Sequence, residues 1–327
     1  MTHPMLRRGS NDAGPSGPVH ELQRLLVERS ISPGPVDGAF GPLTEASVRA
    51  LQRSRGLVVD GVAGPRTWAE LGVEGSRVQL SDLPAGLTWG LDVSGVGQPR
   101  PLPWRELYEA GARFVWVRAY HGDDLDGWAA AHVHGAREAG LLVGAYGVLT
   151  SFGRGPAEEQ GAAVATWAEN QGALDLPVAI DLELPGVQNL RKFTRGMLLA
   201  MLDAAAGWLG AAEALTERAA VVYTGPAWLA EVSRLTGDAG KEPLRRIAFG
   251  PGPGLGSPRV ERPLWLAQYP LRDVREGQWP AAPAPWSTVA AWQVAGDVGA
   301  EALRVDGHRV DLDIYRGGVD ELRSLGR

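Results

Sequence analysis

The sequence predicts an α/β protein: a (β/α)8-type, TIM-like barrel whose last units are short of helices, preceded by a small N-terminal three-helix domain. Three observations predict it. Apolar runs of strand length alternate with helical stretches about eight times over roughly 240 residues, which argues a barrel rather than an open sheet. A short turn motif near the N-terminus occurs twice and launches a helix each time. The length of 327 residues suits one domain of roughly 200–250 residues plus a smaller one.

The repeat is Val36-Asp37-Gly38-Ala39-Phe40-Gly41-Pro42-Leu43-Thr44, which returns as Val59-Asp60-Gly61-Val62-Ala63-Gly64-Pro65-Arg66-Thr67. Asp-Gly makes a tight turn, and Gly-Pro sets proline at the first helical position, where its missing N–H costs nothing. Upstream, Val19, Leu22, Leu25 and Leu26 give an amphipathic helix; between the repeats, Ala46, Val48, Leu51 and Leu57 give a less regular apolar face. Residues 1–16 read as an N-terminal tail, 17–72 as the three-helix domain, 73–86 as a linker and 87–327 as the barrel.

Within the barrel the expected strands are 88–93, 114–119, 142–148, 177–182, 219–223, 264–269, 289–292 and 310–314, with 246–249 as a further candidate. Helices are expected over 103–110, 128–139, 156–170, 193–209 and 227–235.

Composition removes several function classes. Apolar residues make up 44% and charged residues 21%, an ordinary globular balance. The net charge of −6 and the lack of a Lys/Arg run argue against a nucleic-acid partner. There is no cysteine, so disulfides and thiolate metal sites are excluded. The first residues lack the apolar region of a secretory signal, and no stretch reads as the 18 or so apolar residues that would insert in a membrane. Twelve tryptophans outnumber five phenylalanines, which suits either sugar stacking or a barrel core.

The chemistry concentrates in the run Leu176 to Glu183, an apolar strand pattern ending in two carboxylates one residue apart. Alternate side chains of a strand share a face about 6.6 Å apart, so Asp181 and Glu183 project together. At the end of a buried strand two such charges must be separated in pKa, hydrogen-bonded or used. Paired carboxylates are the equipment of glycoside hydrolysis. Asp92 lies in the first barrel strand and Asp311 in the last, and barrel closure makes those strands neighbours. Four carboxylates are therefore expected at one mouth, with Asp313 as a reserve on the same face as Asp311. Tyr146, Tyr223, Gln268, Tyr269, Trp292 and Gln293 fall at strand ends, as rings and amides suited to sugar hydroxyls and N-acetyl groups.

These residues carry two resemblances. Leu22-Gln23, Asp37 to Thr44, Leu51-Gln52 and Asp60 to Trp68 resemble the peptidoglycan-binding domain of many cell-wall hydrolases. In the second domain, Gly90 to Ser94, Phe114 to Ala119, Gly144 to Tyr146, Ile180 to Glu183, Val222 to Thr224, Leu264 to Tyr269, Trp292-Gln293 and Val310 to Asp313 follow the order seen in glycoside hydrolase family 25. That family comprises the Chalaropsis-type lysozymes, N-acetylmuramidases that cut the β-1,4 bond between N-acetylmuramic acid and N-acetylglucosamine. The resemblance implies Glu183 as general acid/base and Asp181 as the group that stabilises the oxocarbenium-like transition state or orients the substrate's 2-acetamido group. It implies Asp92 and Asp311 as orienting and electrostatic groups, with Arg118 and Trp265 joining the six strand-end residues as substrate contacts. No metal or organic cofactor is implied; the partner is peptidoglycan, acted on at the cell wall outside the cytoplasm. Delivery would come by lysis, a phage particle or a secretion device.

The match has departures. Gln98 comes one position later than the family's Asp-Val-Ser-x-x-Gln, Tyr120-His121-Gly122 stands for Thr-Glu-Gly, and an aromatic pair is reduced to Tyr146-Gly147-Val148. His132 and His134 are two apart on a helix and share no face, so they do not read as a metal site. His121 reads as a loop histidine, and Asp123, Asp124 and Asp126 as a solvated loop that caps a helix. Two other readings stay open on sequence: a non-catalytic wall-binding or structural component of a phage tail or injection device, and a glycosidase for a different glycan.

Overall fold

The computed structural model describes all residues except 1–4, 13–16, 30, 56, 58, 72–85, 151–155, 184–189, 191, 251–258, 269–278 and 299–309. The described residues form two compact units, one within 1–82 and one within 83–327.

The small unit holds α1 (Pro18–Glu28), α2 (Pro42–Ser54) and α3 (Pro65–Glu70), each opened by the proline of a Gly-Pro pair. Val19, Leu22, Leu26, Phe40, Val48, Leu51, Trp68 and Leu71 form its core. The repeated motif folds into two copies of one hydrogen-bond network. Gln23 Nε2 reaches Asp37 Oδ1 at 3.0 Å, the Ala39 carbonyl at 3.1 Å and Thr44 Oγ1 at 3.2 Å, while Gly38 N–H donates to Gln23 Oε1 at 2.9 Å. Gln52 repeats this with Asp60 Oδ1 at 2.7 Å, the Val62 carbonyl at 2.9 Å, Thr67 Oγ1 at 3.3 Å and Gly61 N–H at 2.9 Å. Gly38 and Gly61 sit at φ +73° and +74°, a left-handed conformation that costs glycine nothing.

This network corrects the expected face of α2. Ala46 is exposed, and the polar Thr44, Ser47 and Gln52 are buried instead, because the amide of Gln52 must reach the following turn. The expected tail is also partly structural. Leu6 is buried in the core and pairs with Ala63, and Asp12 accepts from Val19 N–H at 3.0 Å and His20 N–H at 2.8 Å. That carboxylate satisfies helix-end donors that Gly17, the N-cap residue, has no side chain to serve.

The large unit contains β1 (Leu87–Val93), α4 (Trp104–Glu109), β2 (Phe114–His121), β3 (Asp124–Leu125), α5 (Ala129–Ala139), β4 (Leu142–Val148), α6 (Ala157–Gln171) and β5 (Ala179–Asp181). It continues with α7 (Arg195–Thr216), β6 (Val221–Thr224), α8 (Pro226–Thr236), α9 (Lys241–Ala248), β7 (Phe249–Gly250), β8 (Val260–Glu261), β9 (Leu264–Ala267), β10 (Ala291–Val298), β11 (Val310–Arg316) and α10 (Val319–Arg323). Eight of these strands close in the order β1-β2-β4-β5-β6-β9-β10-β11 and back to β1. Successive pairs are parallel from β1 to β10, but β11 runs antiparallel to both β10 and β1. The reversal brings the start of β11, rather than its end, to the mouth formed by the C-terminal ends of the other strands.

Two expectations change here. The candidate strand 246–249 is mostly the last turn of α9, where Leu244, Ile247 and Ala248 are buried at helical spacing and Arg245 is exposed. Only Phe249 and Gly250 are extended, pairing with β8. Helix α7 is long and apolar enough to cross a membrane, contrary to the expectation that no stretch would be. Its Leu198, Met201, Leu202, Ala205, Trp208 and Leu209 are buried, and a Cβ on Gly161 of α6 would lie 2.2 Å from the Trp208 carbonyl oxygen. It is a core helix packed against α6.

Strand alternation fills the barrel interior with Phe114, Trp116, Tyr146, Val148, Ala179, Val221, Tyr223, Trp265 and Ala291. Trp116 stacks on Trp265 at 4.7 Å between ring centroids, and Tyr223 meets Trp265 edge-on at 4.6 Å. Much of the tryptophan surplus is thus core: Trp68, Trp116, Trp208 and Trp265 are among the largest fully buried side chains.

Candidate active site

The aromatic floor of Trp116, Trp265, Tyr146 and Tyr223 ends where the carboxylates begin. β5 is short: after Asp181 the chain leaves the sheet, with Leu182 N–H donating to the Tyr223 carbonyl at 2.9 Å and Thr224 Oγ1 donating to the Leu182 carbonyl at 3.0 Å. Asp181 Oδ1 accepts from Glu183 N–H at 3.1 Å, closing the turn that carries Glu183. Glu183 thereby lies over the end of β6, its Oε1 3.7 Å from where a Cβ on Gly225 would stand. Asp181 and Glu183 are both half-buried.

Asp92 on β1 faces Asp311 on β11 as its register partner. Gln293 Nε2 donates to Asp92 Oδ2 at 2.6 Å, and Tyr223 OH donates to Gln293 Oε1 at 3.0 Å. The Tyr223 hydroxyl is also in hydrogen-bond contact with Glu183. Deeper still, the fully buried Asp313 accepts from Trp265 Nε1 at 2.8 Å on Oδ1, and Asp92 is close enough for its charge to act on it. Five carboxyls therefore form one cluster, graded from the buried Asp313 and Asp92 to the half-open Asp311, Asp181 and Glu183.

Such a cluster cannot ionise fully. Burial pushes Glu183 up to about 7, and the neighbouring charge of Asp311 adds to the rise. Asp181 is raised well above the usual carboxylate range by burial first, then by Glu183 and Asp92. Asp92 is raised well above the usual carboxylate range by burial and by Asp311, against the hydrogen bond from Gln293 that favours its charge. Asp313 is raised by burial and by Asp92. Tyr146 holds its proton far above the usual phenol range because it is buried facing Asp92, Asp181 and Asp311.

Arg118 is the cation that acts on this group, favouring the charged forms of Asp181 and Tyr146. Its Nε and Nη2 donate to Asp126 Oδ2 at 3.0 and 2.8 Å. Asp126 also accepts from Gly95 N–H at 2.7 Å and Trp128 N–H at 3.0 Å. Its side chain is only 3% exposed, so the expectation of a solvated loop aspartate is corrected. Asp126 ties the β1 loop, β2 and the start of α5 together, and the pair that betrays it, Arg118 with Asp126, spans a hairpin that the sequence pattern does not show.

The structure brings Asp92, Asp181, Glu183, Asp311 and Tyr146 together as expected from the sequence, and adds the reserve Asp313. Other expected contacts stand elsewhere. Trp265 and Gln293 are each 1% exposed with their polar atoms engaged by Asp313, Asp92 and Tyr223, so they support the acids from below rather than face open space. Trp292 lies on the opposite face of β10 from Gln293, edge-on to Trp279 at 5.7 Å and donating to the Gln268 carbonyl at 2.5 Å. Gln268 is exposed, and Tyr269 lies outside the described residues. Gln98, late in its loop, accepts from Ser94 N–H at 2.9 Å, and its own carbonyl lies 3.0 Å from Nε2 of the buried His132. His134 is instead exposed, 3.3 Å from Glu138.

Comparison with known proteins agrees with this geometry. Residues 15–71 match the family model of a peptidoglycan binding domain, and residues 91–244 that of glycosyl hydrolases family 25. The fold is similar to a muramidase from Trichobolus zukalii, with 24% identity, a TM-score of 0.50 and coverage of 73% of this chain and 98% of that one. It is similar to the lysozyme of Streptomyces coelicolor at 21% identity and a TM-score of 0.50, over 73% and 96% of the two chains. It is likewise similar to a family 25 glycosyl hydrolase of Bacillus anthracis at 18% identity and a TM-score of 0.51, over 75% and 96%. An uncharacterised protein of Kitasatospora aureofaciens is 42% identical over 77 residues, which is 23% of this chain and 62% of that protein's length. An eight-stranded barrel with acids massed at its mouth, matched over residues 91–244 by one family model, and a small helical unit, matched over residues 15–71 by the other, give this chain a family 25 glycosyl hydrolase domain and a peptidoglycan-binding domain.

Proposed function

We propose that the barrel is an N-acetylmuramidase that hydrolyses the β-1,4 bond between N-acetylmuramic acid and N-acetylglucosamine, with Glu183 as its general acid/base. The observation that carries this reading is the Glu183 carboxyl, half-open at the mouth and pushed up to about 7, amid aspartates at strand ends. A carboxyl with that pKa holds a proton near neutrality and can surrender it to the glycosidic oxygen as the C–O bond breaks. Water then adds to the anomeric carbon and returns a proton to Glu183, leaving a new reducing end. Asp181, Asp92 and Asp311 face the same space, and their ionised fraction stabilises the positive charge that develops on the sugar ring. The small unit is proposed to hold the wall polymer, which raises the local concentration of an insoluble substrate at a linked active site.

The test is release of reducing ends from purified peptidoglycan by the full chain beside Glu183→Gln, with mass analysis of the sugar that carries each new end. Reducing N-acetylmuramic acid, lost in the variant, supports the reading. Reducing N-acetylglucosamine, or no release by folded protein on several wall types, refutes it.

A further inference from the structure

We infer that Trp128 sets a preference for long substrates: with Val96 and Leu125 it forms a ledge on the rim of the barrel mouth that carries a sugar ring of the glycan strand, some units away from the bond being cut. This rests on the glycan-hydrolysing role proposed for the mouth and adds where the strand leaves it.

The tryptophan surplus divides into core and one exception. All twelve tryptophans lie among the described residues, and Trp128, at 39%, is the only exposed one; the rest are buried or half-buried. It is the N-cap residue of α5, three positions beyond β3. Asp126 fixes it there. That carboxylate accepts from Trp128 N–H at 3.0 Å and from Gly95 N–H at 2.7 Å, and it holds the Arg118 guanidinium at 2.8 Å. The indole edge rests on the chain at Gly95, where a Cβ would stand 3.1 Å from Trp128 Cδ1 and 2.1 Å from Asp126 Oδ1. Val96, next in that loop, and Leu125, on β3, are exposed as well. Three apolar side chains from three segments are thus gathered by one buried carboxylate.

The ledge is continuous with the acids. Gly95 lies two residues past β1, which carries Asp92, and the Arg118 that grips Asp126 also favours the charged form of Asp181. Glu183 lies over the end of β6, and in the closed order of eight strands β6 stands opposite β1. Ledge and acid therefore face each other across the mouth. Eight strands at their usual spacing and tilt make a barrel about 15 Å across. That is farther than the two sugars on either side of the cut in a tetrasaccharide can span, so only a longer strand reaches Trp128.

The chemistry of the ledge fits a sugar. The apolar face of an indole packs on the C–H face of a pyranose, and a rigid ring loses little freedom in doing so. A stable protein partner would need about 800 Å² of each surface, whereas a tryptophan supplies about 150–250 Å². A ring or two of the strand already lying in the mouth is the occupant of matching size.

The test is hydrolysis of peptide-free glycan strands of defined length by the full chain. Trp128→Ala should lower kcat/KM on an octasaccharide about tenfold, through KM, and leave a tetrasaccharide within about twofold. Trp128→Phe keeps a ring on the ledge and should recover most of the loss. Equal loss at both lengths, or none on the octasaccharide, overturns the inference. Binding is read without turnover in full-length Glu183→Gln carrying ¹⁵N-labelled tryptophan, the Trp128 indole signal being assigned by its disappearance in Trp128→Phe. The octasaccharide should shift that signal and the tetrasaccharide should not. An unmoved signal at calorimetric saturation, or no octasaccharide binding at all, also overturns the inference, and this measurement stands even if Trp128→Ala fails to fold. A wild type that cuts neither strand would sink the proposed reaction, while the indole signal still reports whether the ledge carries glycan, so the two failures are distinguishable.

Discussion

Asp92 and Asp311, near opposite ends of the barrel sequence, are direct register partners between β1 and β11. The contact exists because β11 runs antiparallel to both neighbours, which puts its first residues where the other strands end. Asp311 is the largest charge contribution to the rise of Glu183 after burial itself, and it raises Asp92 as well.

Removing that charge should therefore make Glu183 a stronger acid. In Asp311→Asn the alkaline limb of kcat/KM against pH is expected to move to lower pH by about one unit. Activity at pH 8 should then fall more than activity at pH 5. A limb that stays in place would mean that burial alone sets the proton affinity of Glu183.

The raised carboxyl also has a cost in stability whose sign can be worked out. The folded protein keeps a proton on Glu183 up to about 7, whereas the unfolded chain releases it near the ordinary 4.5. Between those values the native state binds more protons, so its stability relative to a neutral residue falls as pH rises through the window. Glu183→Gln is thus expected to unfold at higher urea than the wild type at pH 8, by about 1–3 kcal/mol, and to match it at pH 4. Equal midpoints at pH 8 would contradict the shift.

Much of this is legible in the sequence. Period-two alternation marks the barrel strands, and the Asp-x-Glu spacing puts Asp181 and Glu183 at a strand end. Closure of the strand order predicts that Asp92 and Asp311 will meet. What escapes is the direction and partnering of side chains. Trp292 and Gln293 are adjacent in sequence and equally plausible as sugar contacts, yet alternation sends them to opposite faces. Trp265 has the makings of a sugar-binding ring and is floor, because a barrel of this size needs large side chains to fill it. Asp126 reads as solvated because nothing local announces that Arg118 will reach across a hairpin to it.

That Arg118–Asp126 pair supplies another test. Asp126→Ala would strand a guanidinium that is 14% exposed and leave Gly95 N–H without its partner. Removing one member of such a pair is expected to cost about 3–5 kcal/mol, larger than for an exposed pair such as Arg105–Glu109. Chemical denaturation of Asp126→Ala beside Glu109→Ala would check it; similar midpoints would show that the clamp contributes no more than a surface contact.

The two glutamines of the small unit make the last prediction, because the duplicated network says what each is for. Gln52 joins Asp60, Val62, Thr67 and Gly61, and Gln23 joins the equivalent residues of the first turn. Gln52→Ala would leave buried Thr67 and the Gly61 N–H short of a partner, an expected loss of about 2–3 kcal/mol confined to that unit. Amides in α1 and α2 should then exchange faster with solvent while those of β2 and β4 keep their protection. Cosedimentation with insoluble wall should weaken, and cleavage of soluble glycan fragments should be unchanged. Gln23→Ala should behave alike, because its network is the same in kind. If either change instead abolished wall binding without altering amide exchange, the motif would be touching ligand, and its role as turn scaffolding would be refuted.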